Sequence, residues 1–253
     1  MLIEMLFLIV FGLVIGSFLN VVIYRISSEQ KINYPKRSQC PSCNYQIKWF
    51  ENIPVFSYLF LKGRCSNCNT QISIIYPVVE IITAIGTVFL FEQFNFSLNF
   101  VLHWLLFIAL ICLSFIDIKL KAVPDYFLLV AVVLALFAGQ WEYGLLFMGG
   151  AFLLQQILDF YIQNIKARIV KDNSLKEQQA MGDGDIPIFG ILGATLGTQL
   201  GVTAVFFAAI FALAPAVYNL IKKQEIETPF IPFLVIGMYF VMITQINLFS
   251  LFV

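Results

Sequence analysis

Asn99-Phe-Val-Leu-His103-Trp-Leu-Leu-Phe-Ile-Ala-Leu-Ile-Cys112-Leu-Ser-Phe-Ile-Asp117 is an apolar run that ends on an acid and is followed at once by Lys119 and Lys121. About 20 such residues make one helical crossing of a bilayer. Asp117 stands where the run meets the polar chain. Holding an ionisable group near hydrocarbon costs several kcal/mol, so an acid there is a functional candidate by default. Asp185 stands in a matching place: it ends the tetrad Gly182-Asp-Gly-Asp185 and opens another apolar run.

The same pattern extends along the chain. Of its 253 residues 60% are hydrophobic and 12% charged, and the mean hydropathy is +0.88. A soluble globule cannot be covered with so little polar sequence. Eight apolar runs, at 2–24, 74–93, 99–117, 123–140, 144–163, 186–200, 202–221 and 229–251, predict an all-α polytopic membrane protein. The sixth run is short and glycine-rich (Gly190, Gly193, Gly197), which suits packing against other helices. All 15 basic residues fall in segments 25–73, 118–122, 164–184 and 222–223. Alternate crossings put these four segments on one side, and basic loops stay cytoplasmic. Both termini are therefore expected outside, with both aspartates at the cytoplasmic face. The first run carries Glu4 and lacks a basic start, so it reads as an anchor ahead of Arg25 and not as a cleaved signal. Membrane lipid is an expected partner; nucleic acid is not.

Segment 25–73 is the one sizeable extramembrane stretch, a small cytoplasmic insertion after helix one. It holds Cys40-Pro-Ser-Cys43 and Cys65-Ser-Asn-Cys68. Two Cys-x-x-Cys knuckles complete a tetrahedral four-sulfur site, so a zinc-ribbon-like fold with structural zinc is expected. A module this short buries little core, and metal binding would supply the folding energy. Two disulfides are the other option, which a reducing compartment disfavours. With four protein sulfurs no position is left for water, so the metal is structural. Cys112, inside the third run, reads as a small apolar residue.

Asp117 and Asp185 on one side of a membrane suggest an aspartic dyad that activates water. Taken alone, Asp117 could equally be a solvated boundary charge. In the tetrad, Gly182 and Gly184 would let the backbone turn sharply and approach a neighbour closely. The helix dipole favours the anion at Asp185 and the shared proton on Asp117. Asp125 follows Pro124 at a helix start and suits the dipole there. Glu80, after Tyr76-Pro77, lies at the same membrane edge; it either complements the helix N-terminus or serves function. His103 and Asp159 read as structural or interfacial.

These motifs together resemble the type IV prepilin peptidases, membrane aspartic proteases of the Gly-x-Gly-Asp class. The resemblance runs from Gly12-Leu-Val-Ile-Gly16-Ser-Phe-Leu-Asn20 through Cys40–Cys43, Ile53-Pro54, Cys65–Cys68 and Tyr76-Pro77 to Glu80. It continues through Asp117 to Pro124-Asp125, the Gly182–Asp185 tetrad and Gly193-Ala-Thr-Leu-Gly197. It implies that Asp117 and Asp185 are the catalytic pair. It implies cleavage of short basic leaders from prepilins or type II secretion pseudopilins, at the inner membrane of a bacterium. It also implies N-methylation of the new N-terminus from S-adenosylmethionine, with the cysteine module and Glu80 as platform. The expected division is residues 1–24 as first helix, 25–73 as cysteine module and 74–253 as peptidase domain. One departure stands out: Pro187 occupies the place where the family usually has lysine. An ion or metal transporter would instead spread acids through the bilayer depth, and a non-catalytic assembly factor would not need an intact acid pair.

Overall fold

The computed structural model describes residues 2–31, 37–170, 179–222 and 228–251, without the side chains of Val170 and Leu251. Among them every regular element is helical. The main helices are α1 (Leu2–Ser27), a short α2 (Phe56–Phe60), α3 (Ile75–Phe94), α4 (Leu98–Leu120) and α5 (Asp125–Ala138). After them come α6 (Trp141–Phe160), a π-helical stretch (Tyr161–Lys166), α7 (Ala167–Val170), α8 (Asp185–Lys222) and α9 (Ile231–Thr244). Each of the eight expected apolar runs overlaps one of these helices. Five spans are long and apolar enough to cross a bilayer: Leu2–Ser27, Ile75–Phe94, Leu98–Leu120, Trp141–Ile169 and Asp185–Ile221. α5 and α9 are shorter than their apolar runs, at 14 residues each. The first stops at Gly139, and the second at Gln245, which adopts a left-handed conformation. The sixth and seventh runs join as α8, which breaks at Gly197 (φ 72°, ψ −171°). That backbone region is essentially closed to residues with a Cβ. Pro187 sits in the first turn of α8, where proline's missing N–H costs nothing.

The chain divides into two compact units, Met1–Lys119 and Leu120–Val253. In the first, α1 lies directly on α3 through Gly12-x-x-x-Gly16. A Cβ at Gly12 would stand 2.6 Å from Ala84 Cα, and one at Gly16 equally close to Glu80 Cα. Small residues at this spacing let membrane helices meet backbone to backbone. α4 joins through the Phe11–Trp104 stack (5.2 Å) and the Trp104 Nε1 bond to Thr87 Oγ1 (3.0 Å). His103 has a structural place: its ring stacks on Phe94 (4.3 Å) and bonds Asn99 O. Cys112 is buried at 1% exposure.

In the second unit α8 is the central helix. Gly190, Gly193 and Gly201 receive Met148, Tyr143 and Phe147 of α6, and Gly237 of α9 meets the Ala204 carbonyl. The glycine-rich run thus packs on neighbouring helices, as its composition predicts.

Candidate active site and metal centre

Each aspartate is buried at a helix end. Asp117 lies in the last turn of α4 and is 7% exposed; Asp185 is the first residue of α8 and is 8% exposed. Both residues have interaction partners. Asp125 is exposed at the start of α5, where its charge complements the helix N-terminus.

The tetrad before Asp185 is held from α6. The Gln155 side chain, 3% exposed, donates to Met181 O (3.0 Å) and to Asp183 Oδ1 (3.2 Å). Asp159, one turn later, accepts from the Ala180 N–H (2.6 Å). The Asp185 N–H closes the turn onto Gly182 O (3.0 Å). The π-helical stretch begins directly after these residues, and such stretches mark functional places in helices. Gly182 and Gly184 are absent from the positive-φ residues. What Gly184 supplies is room, since a Cβ there would meet Val123 Cγ2 at 2.8 Å. Gln155 is a contributor that motif reading misses. Its one sequence signal is a polar amide in an apolar helix.

The cysteine module brings all four expected sulfurs together. The Sγ atoms of Cys40, Cys43, Cys65 and Cys68 lie within 4.8 Å of one another, with no disulfide among them, a cluster able to hold a metal ion. The two knuckles are built alike. The Cys40 N–H donates to Tyr45 O and the Asn44 N–H to Cys40 O (both 2.9 Å). The Cys65 N–H donates to Thr70 O (2.9 Å) and the Asn69 N–H to Cys65 O (3.0 Å). Asn44 and Asn69 both take positive φ (55° and 58°), which asparagine tolerates better than most residues. The repeat Cys-x-x-Cys-Asn was therefore visible in the sequence as a geometric signature. Desolvation pushes the Cys40 thiol up to about 11. The Thr70 hydroxyl bonded to Cys68 Sγ, together with the Thr70 backbone, brings Cys68 down to about 6.

Glu80 is buried in α3 and turns toward the module: its Oε2 accepts the Val55 N–H at 2.7 Å. Val55 has φ 62° and ψ −50°, a rare conformation for a β-branched residue. Asn20 Nδ2 donates to Tyr76 O (2.9 Å) in the first turn of the same helix. These groups, the end of α1 and the module line a cavity of about 770 Å³ within the first unit.

The architecture defines a polytopic helical membrane protein that carries a four-cysteine module between its first two long helices. Two family models match it: the bacterial peptidase A24 N-terminal domain over residues 10–94, and the type IV leader peptidase family over residues 104–217. A Bacillus subtilis prepilin leader peptidase/N-methyltransferase is 31% identical over 241 residues, covering 91% of this chain and 90% of that protein. An Escherichia coli type 4 prepilin-like proteins leader peptide-processing enzyme is 33% identical, covering 89% and 88%. A Myxococcus xanthus prepilin leader peptidase/N-methyltransferase is 33% identical over 81% of this chain, and the match spans 59% of that protein's length. No solved structure matches. The chain belongs to the type IV leader peptidase family.

Proposed function

We propose that this chain is a membrane aspartic endopeptidase that removes short basic leaders from type IV prepilins or type II secretion pseudopilins, with Asp117 and Asp185 as its catalytic pair. The observation that carries the reading is the burial of both carboxylates at the ends of long apolar helices. Acids are retained in such places for function. One carboxylate takes a proton from the attacking water while the other, protonated, donates to the scissile carbonyl. Like charges close together do not both ionise, so the pair shares one proton and titrates as a unit. Gly182 and Gly184 keep the loop before Asp185 slim.

The proposed topology places the basic segments in the cytoplasm and both termini outside, in the cytoplasmic membrane of a bacterium. A prepilin anchored by its apolar stem then offers its leader junction at the interface where both acids stand. Residues 1–24, 25–73 and 74–253 serve as first helix, cysteine module and peptidase domain.

The four-cysteine cluster is proposed to hold structural zinc. Tetrahedral zinc–thiolate bonds of about 2.3 Å set sulfurs about 3.8 Å apart, and Cys40 and Cys68 Sγ are separated by 3.8 Å. The printed names of the relatives pair the peptidase with an N-methyltransferase. We extend that second activity to this chain, with S-adenosylmethionine as methyl donor and Glu80 in the methylation platform.

The test is cleavage of a prepilin with a basic leader and a Gly-Phe junction by the purified protein in detergent. Asp117→Asn and Asp185→Asn are each expected to lose at least about 100-fold in kcat, the scale of a missing acid or base, with unfolding temperatures unchanged. Activity surviving in either variant would remove that residue from the pair.

A further inference from the structure

We propose that the outward face of the cysteine module, formed by Trp49, Phe50, Phe56, Leu59 and Phe60, is a docking surface for lipid. It lies in the bilayer interface beside the end of α1 and the start of α3. The surface needs only the helical spans and holds whether or not the chain cleaves leaders.

A module surrounded by water would hide its largest apolar side chains. Here Trp49 is 81% and Phe60 84% exposed, and Phe50, Ile53, Phe56 and Leu59 are exposed with them. Single exposed apolar residues are ordinary, whereas a contiguous set marks an interaction surface. Phe56, Leu59 and Phe60 stand at i, i+3 and i+4 of α2 and so share one side of it. The residues between and after them, Ser57, Tyr58 and Leu61, line the cavity of the first unit. α2 therefore turns one side to the protein and an apolar side outward. Trp49 and Phe50 open the short 3₁₀ helix Trp49–Asn52, which is tied to α2 by the Ser57 hydroxyl donating to Phe50 O (2.8 Å).

Level and charge identify the occupant as lipid. The Val55 N–H, directly before α2, donates to Oε2 of Glu80, the sixth residue of α3. At 1.5 Å per residue, Glu80 stands about 7–8 Å into that span. Val78, Ile81 and Ile82 are exposed on the same stretch of α3 and need a bilayer to cover them. The chain that enters α2 is thus held level with the lipid-facing part of a membrane helix. Charge points the same way. Residues 48–64 carry exposed Lys48, Lys62 and Arg64 against one acid, Glu51, whose carboxylate accepts the Lys48 N–H (2.8 Å). The Lys48 ammonium stands 5.7 Å from the centre of the Phe50 ring. Cations around an aromatic, apolar face suit a segment that lies in the interface, where anionic headgroups meet the cations. Docked in this way, the module gains an attachment to the membrane beyond α1, α3 and the Glu80 bond.

The experiment is fluorescence quenching of the full-length, zinc-supplemented protein in vesicles of phosphatidylethanolamine and phosphatidylglycerol. The chain has three tryptophans, so the emission of Trp49 is read as the difference between the parent and Trp49→Phe. Phe60→Trp, added to that variant, moves the reporter to α2. An unchanged unfolding temperature reports that each variant is folded. At the depth of about 5–10 Å that interfacial segments reach, lipids brominated high on their tails should quench both reporters by about half. Aqueous acrylamide should quench them less. Stronger quenching by acrylamide than by brominated lipid at either position would put the face in water and overturn the proposal. Resistance to both quenchers would mean that protein, such as a second copy of this chain, covers the face, and would overturn it equally.

Discussion

Gln155 shows how one amide can matter to a reaction it never touches. It is buried in α6, and both its bonds go to the loop that delivers Asp185. Gln155→Leu keeps the volume and removes both donors, leaving the Met181 carbonyl and Asp183 to find other partners. A lost buried hydrogen bond is worth about 1 kcal/mol, so kcat for leader cleavage should fall about tenfold with KM nearly constant. Steady-state cleavage decides it: a lower unfolding temperature with unchanged kcat would make Gln155 merely structural. The cysteines carry a second prediction at this scale. In metal-free protein at pH 7 the Cys68 thiol, brought down to about 6 by Thr70, is largely thiolate, whereas Cys40 at about 11 is not. Because the thiolate is the nucleophile, iodoacetamide should label Cys68 first and Cys40 late. Added zinc should protect all four, and buried Cys112 should resist in both states. Mass spectrometry of the labelled peptides reads the order, and Cys40 labelling ahead of Cys68 would contradict it.

At the scale of elements, two glycines fix helix geometry for different reasons. Gly197 breaks α8 with a backbone that a Cβ strains, so Gly197→Ala should cost about 1–3 kcal/mol. Gly16 allows α1 to reach the Glu80 backbone, and Gly16→Ala would force two helices apart at an overpacking cost of about 1–3 kcal/mol. Both should lower the unfolding temperature in detergent, while Gly149→Ala, which meets nothing, should not. Most elements were legible before the structure, because an apolar run long enough for a bilayer is a strong periodic signal. The ends of α5 and α9 were not legible, since apolar residues continue past the points where Gly139 and Gln245 stop the helix. The knuckles were legible as ligands, and the asparagine that turns each of them was visible in the repeat. The bonds from Glu80 to Val55 and from Gln155 to the tetrad loop were hidden for a physical reason. Each joins single polar residues 25 or more positions apart, and no local pattern announces such a pairing. Of the two roles expected of the tetrad glycines, Gly184 fills the second, a close approach, here to Val123, and neither glycine takes positive φ.

At the scale of the molecule, the first compact unit contains Asp117 and the cysteine module, and the second contains Asp185. The four-cysteine cluster belongs to the first unit alone, so the zinc proposed for it should bear differently on the two proposed activities. α4 is held to α1 and α3 by Trp104, Phe11 and Thr87 and by Phe107 seated on Gly86. None of those contacts involves the module, so Asp117 is expected to keep its position when the metal is removed. The methylation platform proposed above is expected to depend on the metal, because Glu80, Cys40 and Cys65 line one cavity. A module of this size gains its folding energy from metal binding, so stripping zinc should collapse the wall while the helices persist. Dialysis against a chelator, or Cys40→Ser with Cys65→Ser, should therefore abolish methyl transfer and donor binding. Leader cleavage should stay within about threefold, well under 1 kcal/mol on the barrier. Restoring zinc to the chelated wild type should recover methylation, and the serine variant should stay silent. Cleavage lost in parallel with methylation would mean that the module also holds the helices that carry Asp117. The two activities would then share a single folding unit, and the metal would govern both.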